Sequence, residues 1–280
     1  MSFSTYEESV ELGEPTTLYL FRFGSDPLAF FAYCSHTEEI TVGSGPTAVT
    51  YSPLPIIHDD IVASGNADRA DLTVTVPMFS EIAELFRFYP PGQVVALTIR
   101  QGHLNDPDTA YPAVWVGRAL GAARGESIAE ITCQSIGTSL KRAGLPRHYQ
   151  IGCPHMLYGD DCKASKPAVQ VISTVAGVSA ASVTLPAGWN GALDPQKFVA
   201  GMVSWAGLYG VDARTILRVT GNVLSLTGPT GGLTLGGPIT VLPGCNHQTT
   251  DCETLHANIL NYGGQPYIPS DNPLGMNVYN

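Results

Sequence analysis

The residues best equipped for chemistry in this 280-residue chain are its six cysteines, Cys34, Cys133, Cys153, Cys162, Cys245 and Cys252. Four of them fall into two close pairs. Cys153 and Cys162 enclose eight residues, Pro-His-Met-Leu-Tyr-Gly-Asp-Asp, and Cys245 and Cys252 enclose six, Asn-His-Gln-Thr-Thr-Asp. Four thiolates brought to one point make a soft, negatively charged site, which selects zinc or an iron–sulfur cluster. Structural zinc sites favour shorter loops of two to four residues between cysteines. Loops of eight and six residues suit a larger inorganic core, so the spacing favours a 4Fe–4S cluster, with zinc as the alternative. Two local disulfides, or unrelated free thiols, are the plainer reading of the same spacing. His155 and His247 each follow a cysteine by two residues. Either could replace a thiolate on a metal, but hydrogen bonding to loop backbone or sulfur around the site is the expected role. Cys34 and Cys133 sit in apolar, strand-like sequence and are expected to be buried and inert.

For the two pairs to meet, the chain between them must return to its starting point. Residues 168–242 are nearly free of charge and rich in Gly, Val, Thr, Ser and Leu. Short strands are expected at Val169–Val175, Ser182–Leu185, Phe198–Trp205, Thr215–Val219, Val223–Leu226 and Ile239–Leu242, separated by Gly, Pro and Asn turns. That pattern suits a small closed barrel, whose ends lie near each other. The segment from Asn261 to Asn280 has no periodicity and is expected to run extended over the surface.

Residues 1–140 read as strands with one helix. Strands are expected at Thr16–Phe23, Leu28–Tyr33, Ala48–Tyr51, Asp71–Pro77 and Val94–Arg100, and as a long hairpin of Tyr111–Ala123 with Ser127–Ser135. Ser80 can cap a helix running to about Tyr89, with Ile82, Leu85, Phe86 and Tyr89 on one face and Pro90–Pro91 ending it. A basic linker is expected at 141–150.

Composition narrows the function. Charged residues are only 14% of the chain against 44% hydrophobic, and Gly and Pro number 30 and 21. Disorder and coiled coil do not fit that profile; a β-rich, turn-rich assembly or binding protein does. The net charge is −10, most of it from residues 1–150, and no Lys/Arg stripe is present, so no direct recognition of nucleic acid is expected. No apolar run is long enough to span a membrane, and no secretory signal is expected from residues 1–9.

At the cysteine loops the sequence resembles a known family. Gly152-Cys153-Pro154-His155-Met156-Leu157-Tyr158-Gly159-Asp160-Asp161-Cys162 is similar to the tail-tip hub proteins of lambda-like siphophages (the minor tail protein L family) and the related hubs of gene transfer agents. So are Gly244-Cys245, Cys252 and the ending Asn261-Tyr262-Gly263-Gly264-Gln265-Pro266-Tyr267-Ile268-Pro269-Ser270. One difference is that the lambda-type proteins join their two pairs by a short segment, whereas here 82 residues intervene. The resemblance implies a structural, non-enzymatic virion protein assembled in the host cytoplasm and placed at the tail tip. It implies a homotrimeric ring joining a distal tail ring to a central fibre protein. It also implies that Cys153, Cys162, Cys245 and Cys252 are cluster ligands, with His155 and His247 around them. The fold expected is mainly β. An N-terminal tail-hub barrel or sandwich with one packed helix (1–140) precedes a C-terminal metal subdomain (151–280) that contains the inserted small barrel (168–242).

Other chemistry has weaker support. His58-Asp59-Asp60 and Asp106-Pro107-Asp108 read as solvated turns; the second lacks the Gly and the closing Glu of a calcium loop. A tail-associated cell-wall hydrolase would need a nucleophilic Cys or a carboxylate pair. Cys34-Ser35-His36, Glu38–Glu39 and Glu81–Glu84 supply the residue types but not the setting.

Overall fold

A computed structural model of the chain describes residues 6–9, 11, 13–24, 28–61, 71–87, 90–141, 149–207 and 210–268. The fold is mainly β and divides into two compact units, Met1–Arg142 and Ala143–Asn280. Most of the expected linker, 142–148, and the last twelve residues, 269–280, lie outside the described residues.

The first unit is built on a nine-stranded sheet. Its strands are β1 (Pro15–Phe23), β2 (Phe30–Cys34), β3 (Ile40–Val42), β4 (Val49–Pro53), β5 (Ile57–His58), β6 (Leu72–Pro77), β7 (Val95–His103), β8 (Ala113–Arg124) and β9 (Ile128–Ser135), in the order β3-β4-β2-β1-β7-β8-β9-β6-β5. Alternation drives the inward faces: Leu72, Val74 and Val76 are buried on β6, and Ala129, Ile131 and Cys133 on β9. β4 and β5 stand near opposite ends of the order, yet only residues 54–56 join them. Strands lie about 4.8 Å apart, so a flat sheet would separate them by roughly 30 Å, whereas such a link reaches only about 14 Å. The sheet must therefore curl into a barrel-like form.

Helix α1 (Glu81–Leu85) begins where Ser80 accepts a hydrogen bond from the Ala83 amide and buries Ile82 and Ala83. It is shorter than its apolar spacing suggests: it stops at Leu85, and Tyr89 lies outside the described residues. Arg124, at the end of β8, donates to the Ala83 carbonyl and to Glu84 at 2.9 Å, which fixes the helix to the β8–β9 hairpin.

The second unit holds a seven-stranded sheet. Its strands are β10 (Val171–Thr174), β11 (Gly177–Ser179), β12 (Ser182–Thr184), β13 (Met202–Gly207), β14 (Gly210–Thr220), β15 (Val223–Leu226) and β16 (Pro238–Leu242), in the order β10-β16-β13-β14-β15-β12-β11. The two edge strands, β10 and β11, are joined by residues 175 and 176 alone. Two residues cannot cross the roughly 29 Å width of a flat seven-stranded sheet, so this sheet also closes on itself. Inside lie Val183, Leu185, Trp189, Phe198, Val203, Trp205, Ile216, Leu224 and Val241.

Two expected strands begin later than expected. Residues 166–169 form helix α2 (Lys166–Val169), started by Pro167, before β10. Residues 195–198 form a 3-10 turn in which Asp194 caps the Gln196 amide, so β13 starts at Met202 and not at Phe198. After β16 the chain enters the second cysteine loop, whose helix α3 (Thr249–Thr254) carries no apolar stripe and was not legible as a helix.

Candidate metal centre

The second unit gathers all four paired cysteines. Cys153, Cys162, Cys245 and Cys252 line one cavity of about 340 Å³, mouth included, together with His155, His247, His256, Asn258, Asn261 and Tyr262. All four thiols are free. The closed sheet makes the meeting possible, because it returns the chain at Leu242 next to where it entered at Val171, on the neighbouring strand. Further ties hold the two loops to it. The Tyr158 hydroxyl donates to the Pro243 carbonyl at 2.7 Å, and the Gly244 amide donates to the Lys197 carbonyl at 2.8 Å. Lys197 also pairs with the buried carboxylate of Asp251 at 2.7 Å, and that carboxylate accepts from the Asn246 amide.

The loops are tied to each other as well. The Cys153 amide donates to the His247 carbonyl at 2.8 Å, while His247 Nδ1 lies 2.9 Å from the Cys153 carbonyl. The segment expected to run over the surface after Asn261 is tied to the first loop as far as Gln265, and Pro266 and Tyr267 beyond it are exposed. Tyr262 donates its hydroxyl to the Ile151 carbonyl at 2.7 Å, and the Gln265 amide donates to the Gln150 carbonyl at 2.8 Å. A Cβ at Gly263 would strike the His155 ring, so glycine is required where this strand passes the imidazole.

Three sulfur atoms accept N–H groups. Gly263 N–H points at Cys153 Sγ (3.4 Å), His247 N–H at Cys245 Sγ (3.3 Å) and Asn258 Nδ2 at Cys162 Sγ (3.7 Å). N–H groups aimed at sulfur are the contacts that surround metal-bound cysteine sulfurs. Cys252 differs: its Sγ lies 3.3 Å from the Asn258 carbonyl, to which it donates as a thiol. Burial pushes the Cys252 thiol up to about 11, and the nearby sulfurs of Cys245, Cys153 and Cys162 add to the rise. Burial also raises the Cys245 thiol, with the His247 N–H opposing and Asp251, Cys162 and Cys153 reinforcing. Cys245 and Cys252 thus each lie within electrostatic reach of Cys153 and Cys162.

Left-handed backbone concentrates here. Tyr158, Lys163, His247 and Ala257 have φ of 61°, 57°, 59° and 47°, conformations that cost a non-glycine residue free energy. Two buried imidazole nitrogens on side chains that line the cavity have no partner, Nε2 of His155 and Nδ1 of His256. The chemistry of this donor set fits a soft metal group. No three His, Cys, Asp or Glu side chains among the described residues are grouped so as to hold a single ion. The donors ring the cavity instead of meeting at one point, and the fold alone does not establish the metal subdomain expected from the sequence.

His155 and His247, expected near the site, both reach it. His256 and Asn258 were missed. A signal was available for His256, which follows Cys252 by four residues, a spacing that puts two side chains on one side of a helical turn. Cys34 and Cys133 are fully buried in strands of the other unit, and burial raises both thiols, Cys133 to about 12.

Comparison with known proteins adds two findings. Residues 196–272 match a family described as phage conserved hypothetical protein BR0599. The chain is similar in fold to a chain of the virion of a native gene transfer agent particle, with a TM-score of 0.76 at 16% identity over 98% of this chain and 94% of that one. No curated protein matches the chain.

Proposed function

We propose that the chain is a structural component of a phage-type virion, a tail-tip hub whose C-terminal region is held together by a 4Fe–4S cluster on Cys153, Cys162, Cys245 and Cys252. The observation that carries the virion reading is the fold shared along nearly the whole chain with a gene transfer agent virion component. The phage family matched at residues 196–272, which includes the second cysteine loop, supports it. The hub role, the trimeric ring, the distal tail ring and the central fibre protein as partners come from the resemblance at the cysteine loops.

The cluster reading is supported by four thiols in one cavity and by N–H groups aimed at three of them. When bound, such a group supplies a cross-link rather than a reaction. Donors spread around the cavity suit a core of several irons better than one ion, and the bare imidazole nitrogens are what keep zinc as the second reading. His155 and His247 hold the loop backbone, His155 through the Asn261 carbonyl (3.1 Å) and His247 through that of Cys153 (2.9 Å).

Iron, sulfide and zinc analysis of anaerobically purified protein tests the centre. Iron and sulfide in equal amounts are expected; zinc without sulfide replaces the cluster by the second reading. Labelling assembled particles with an antibody against this chain tests the hub role: signal is expected at the tail tip, and signal confined to the head overturns it.

A further inference from the structure

His256 has the environment of a metal ligand, although it is not one of the paired cysteines or their near neighbours. The residue is 8% exposed. Its Nε2 lies 2.9 Å from the Gly244 carbonyl, which accepts a hydrogen bond, so the ring proton sits on Nε2. The lone pair is then on Nδ1, which is buried, has no partner and belongs to a side chain lining the cysteine cavity. Histidines that bind metals are set in the same way: the outer nitrogen donates to a carbonyl or carboxylate, which fixes the tautomer and frees the inner lone pair. The Tyr158 ring meets the imidazole edge-on at 5.7 Å and limits its rotation. An uncompensated buried acceptor is costly, and a cation is the partner that a lone pair among thiolates calls for.

The four sulfurs are not equivalent. Cys153, Cys162 and Cys245 each receive an N–H, whereas Cys252 points its own S–H at the Asn258 carbonyl. The one sulfur of the four that accepts no N–H is thus the one four residues before His256. We propose that His256 is a fifth donor to the centre, able to take the fourth coordination position through Nδ1 when Cys252 does not. A neutral imidazole in place of a thiolate makes the site one charge less negative and leaves it closed. This inference rests on the reading of the cavity as a metal centre.

The test compares the metal content of anaerobically purified wild type with that of C162S, C252S, C252A and C252S/H256Q, and adds cobalt(II) to each metal-free chain. In C252S and C252A we expect metal to be retained, with weaker sulfur-to-metal charge transfer than wild type. C162S is expected to lose its metal, and adding H256Q to C252S is expected to weaken cobalt binding at least about tenfold. Metal in wild type but none in either Cys252 variant, whether through folding or ligation, overturns the role of His256 alone. Cobalt binding that is unchanged between C252S and C252S/H256Q also overturns it. A wild-type chain that carries no metal and binds no cobalt overturns the metal-centre reading, and this inference with it.

Discussion

Within the second unit, two adjacent regions are held together by different forces. The closed sheet between Val171 and Leu242 buries a continuous apolar cluster, with Phe198, Val203, Leu224 and Val241 at 0% exposure. The segments on either side of it, 149–165 and 243–268, bury no Leu, Ile, Met or Tyr side chain. Several of their larger apolar residues face outward, Met156 at 77% exposure and Leu260 at 97%, while Leu157, Tyr158, Leu255 and Tyr262 are half-buried. What is buried there is Ala164, Pro243, Gly244, Asp251, Cys252, His256, Asn258 and Gly264, none of them a large apolar side chain. A segment without an apolar core cannot offset its ordering entropy by hydrophobic burial. Backbone hydrogen bonds shape these loops, but a cross-link at their centre is what such a composition calls for, as in small domains that fold on a metal. The difference teaches that one fold unit can join a barrel with its own apolar core to loops that lack one.

The comparison can be broken most decisively at Cys162. Replacing Cys162 by Ser, or stripping metal with a chelator, is expected to remove on the order of 10 kcal/mol of local stability. Limited proteolysis should then cut within 149–165 and 243–268 while a fragment containing the sheet survives. Loops as resistant as wild type would show that they stand without metal. In the sheet, Leu224→Ala is expected to cost about 2–5 kcal/mol, read by denaturant unfolding with Trp189 and Trp205 fluorescence. A loss well under that range would mean that the core is less tightly packed than its burial indicates.

Among the bonds between the regions is the Lys197–Asp251 ion pair. Asp251→Asn is expected to cost on the order of 1.5–3 kcal/mol, because the buried group bonds both Lys197 and the Asn246 amide. It should expose the Cys245 loop to protease before the sheet. An unchanged cleavage order would uncouple the two.

The cysteines sharpen the comparison by reactivity. In folded, metal-free protein, alkylation at pH 8 followed by mass spectrometry should label Cys153, Cys162 and Cys245 ahead of Cys34 and Cys133. Burial holds the Cys133 thiol up to about 12. Its thiolate fraction at pH 8 is therefore about one in ten thousand and rises about tenfold per pH unit, so labelling should accelerate with pH. The smallest effect is expected for Cys34→Ala, of the order of 1 kcal/mol by thermal unfolding, as for a small buried residue. A loss comparable to that of Cys162→Ser would give Cys34 a role that its strand position does not suggest.

Much of the β architecture was legible because alternation is a local signal: Leu72, Val74 and Val76 mark β6, and the turn at Gly125 marks the β8–β9 hairpin. Of the four strands of two or three residues, β3, β5 and β11 carry too few positions to alternate and were missed, whereas β12 was expected from the turns around it. Helix α3 was missed because Thr-Thr-Asp-Cys-Glu-Thr has neither strong helix formers nor an apolar face. Its turn is set by the loop it sits in, through Asp251, Lys197 and the Asn246 amide.

From the sequence alone came the donor chemistry, since thiols at 153, 162, 245 and 252 are soft wherever they lie, and the apolar strands that build a sheet between them. Only the tertiary structure decided that the sheet closes and returns the chain to its entry strand, because closure depends on pairings such as Val171 with Val241 across 70 residues. Tertiary contacts alone also decided that His155 and His256 each keep a buried ring nitrogen without a partner. Proton placement on His256 is fixed by the Gly244 carbonyl, a neighbour that its own local sequence does not name.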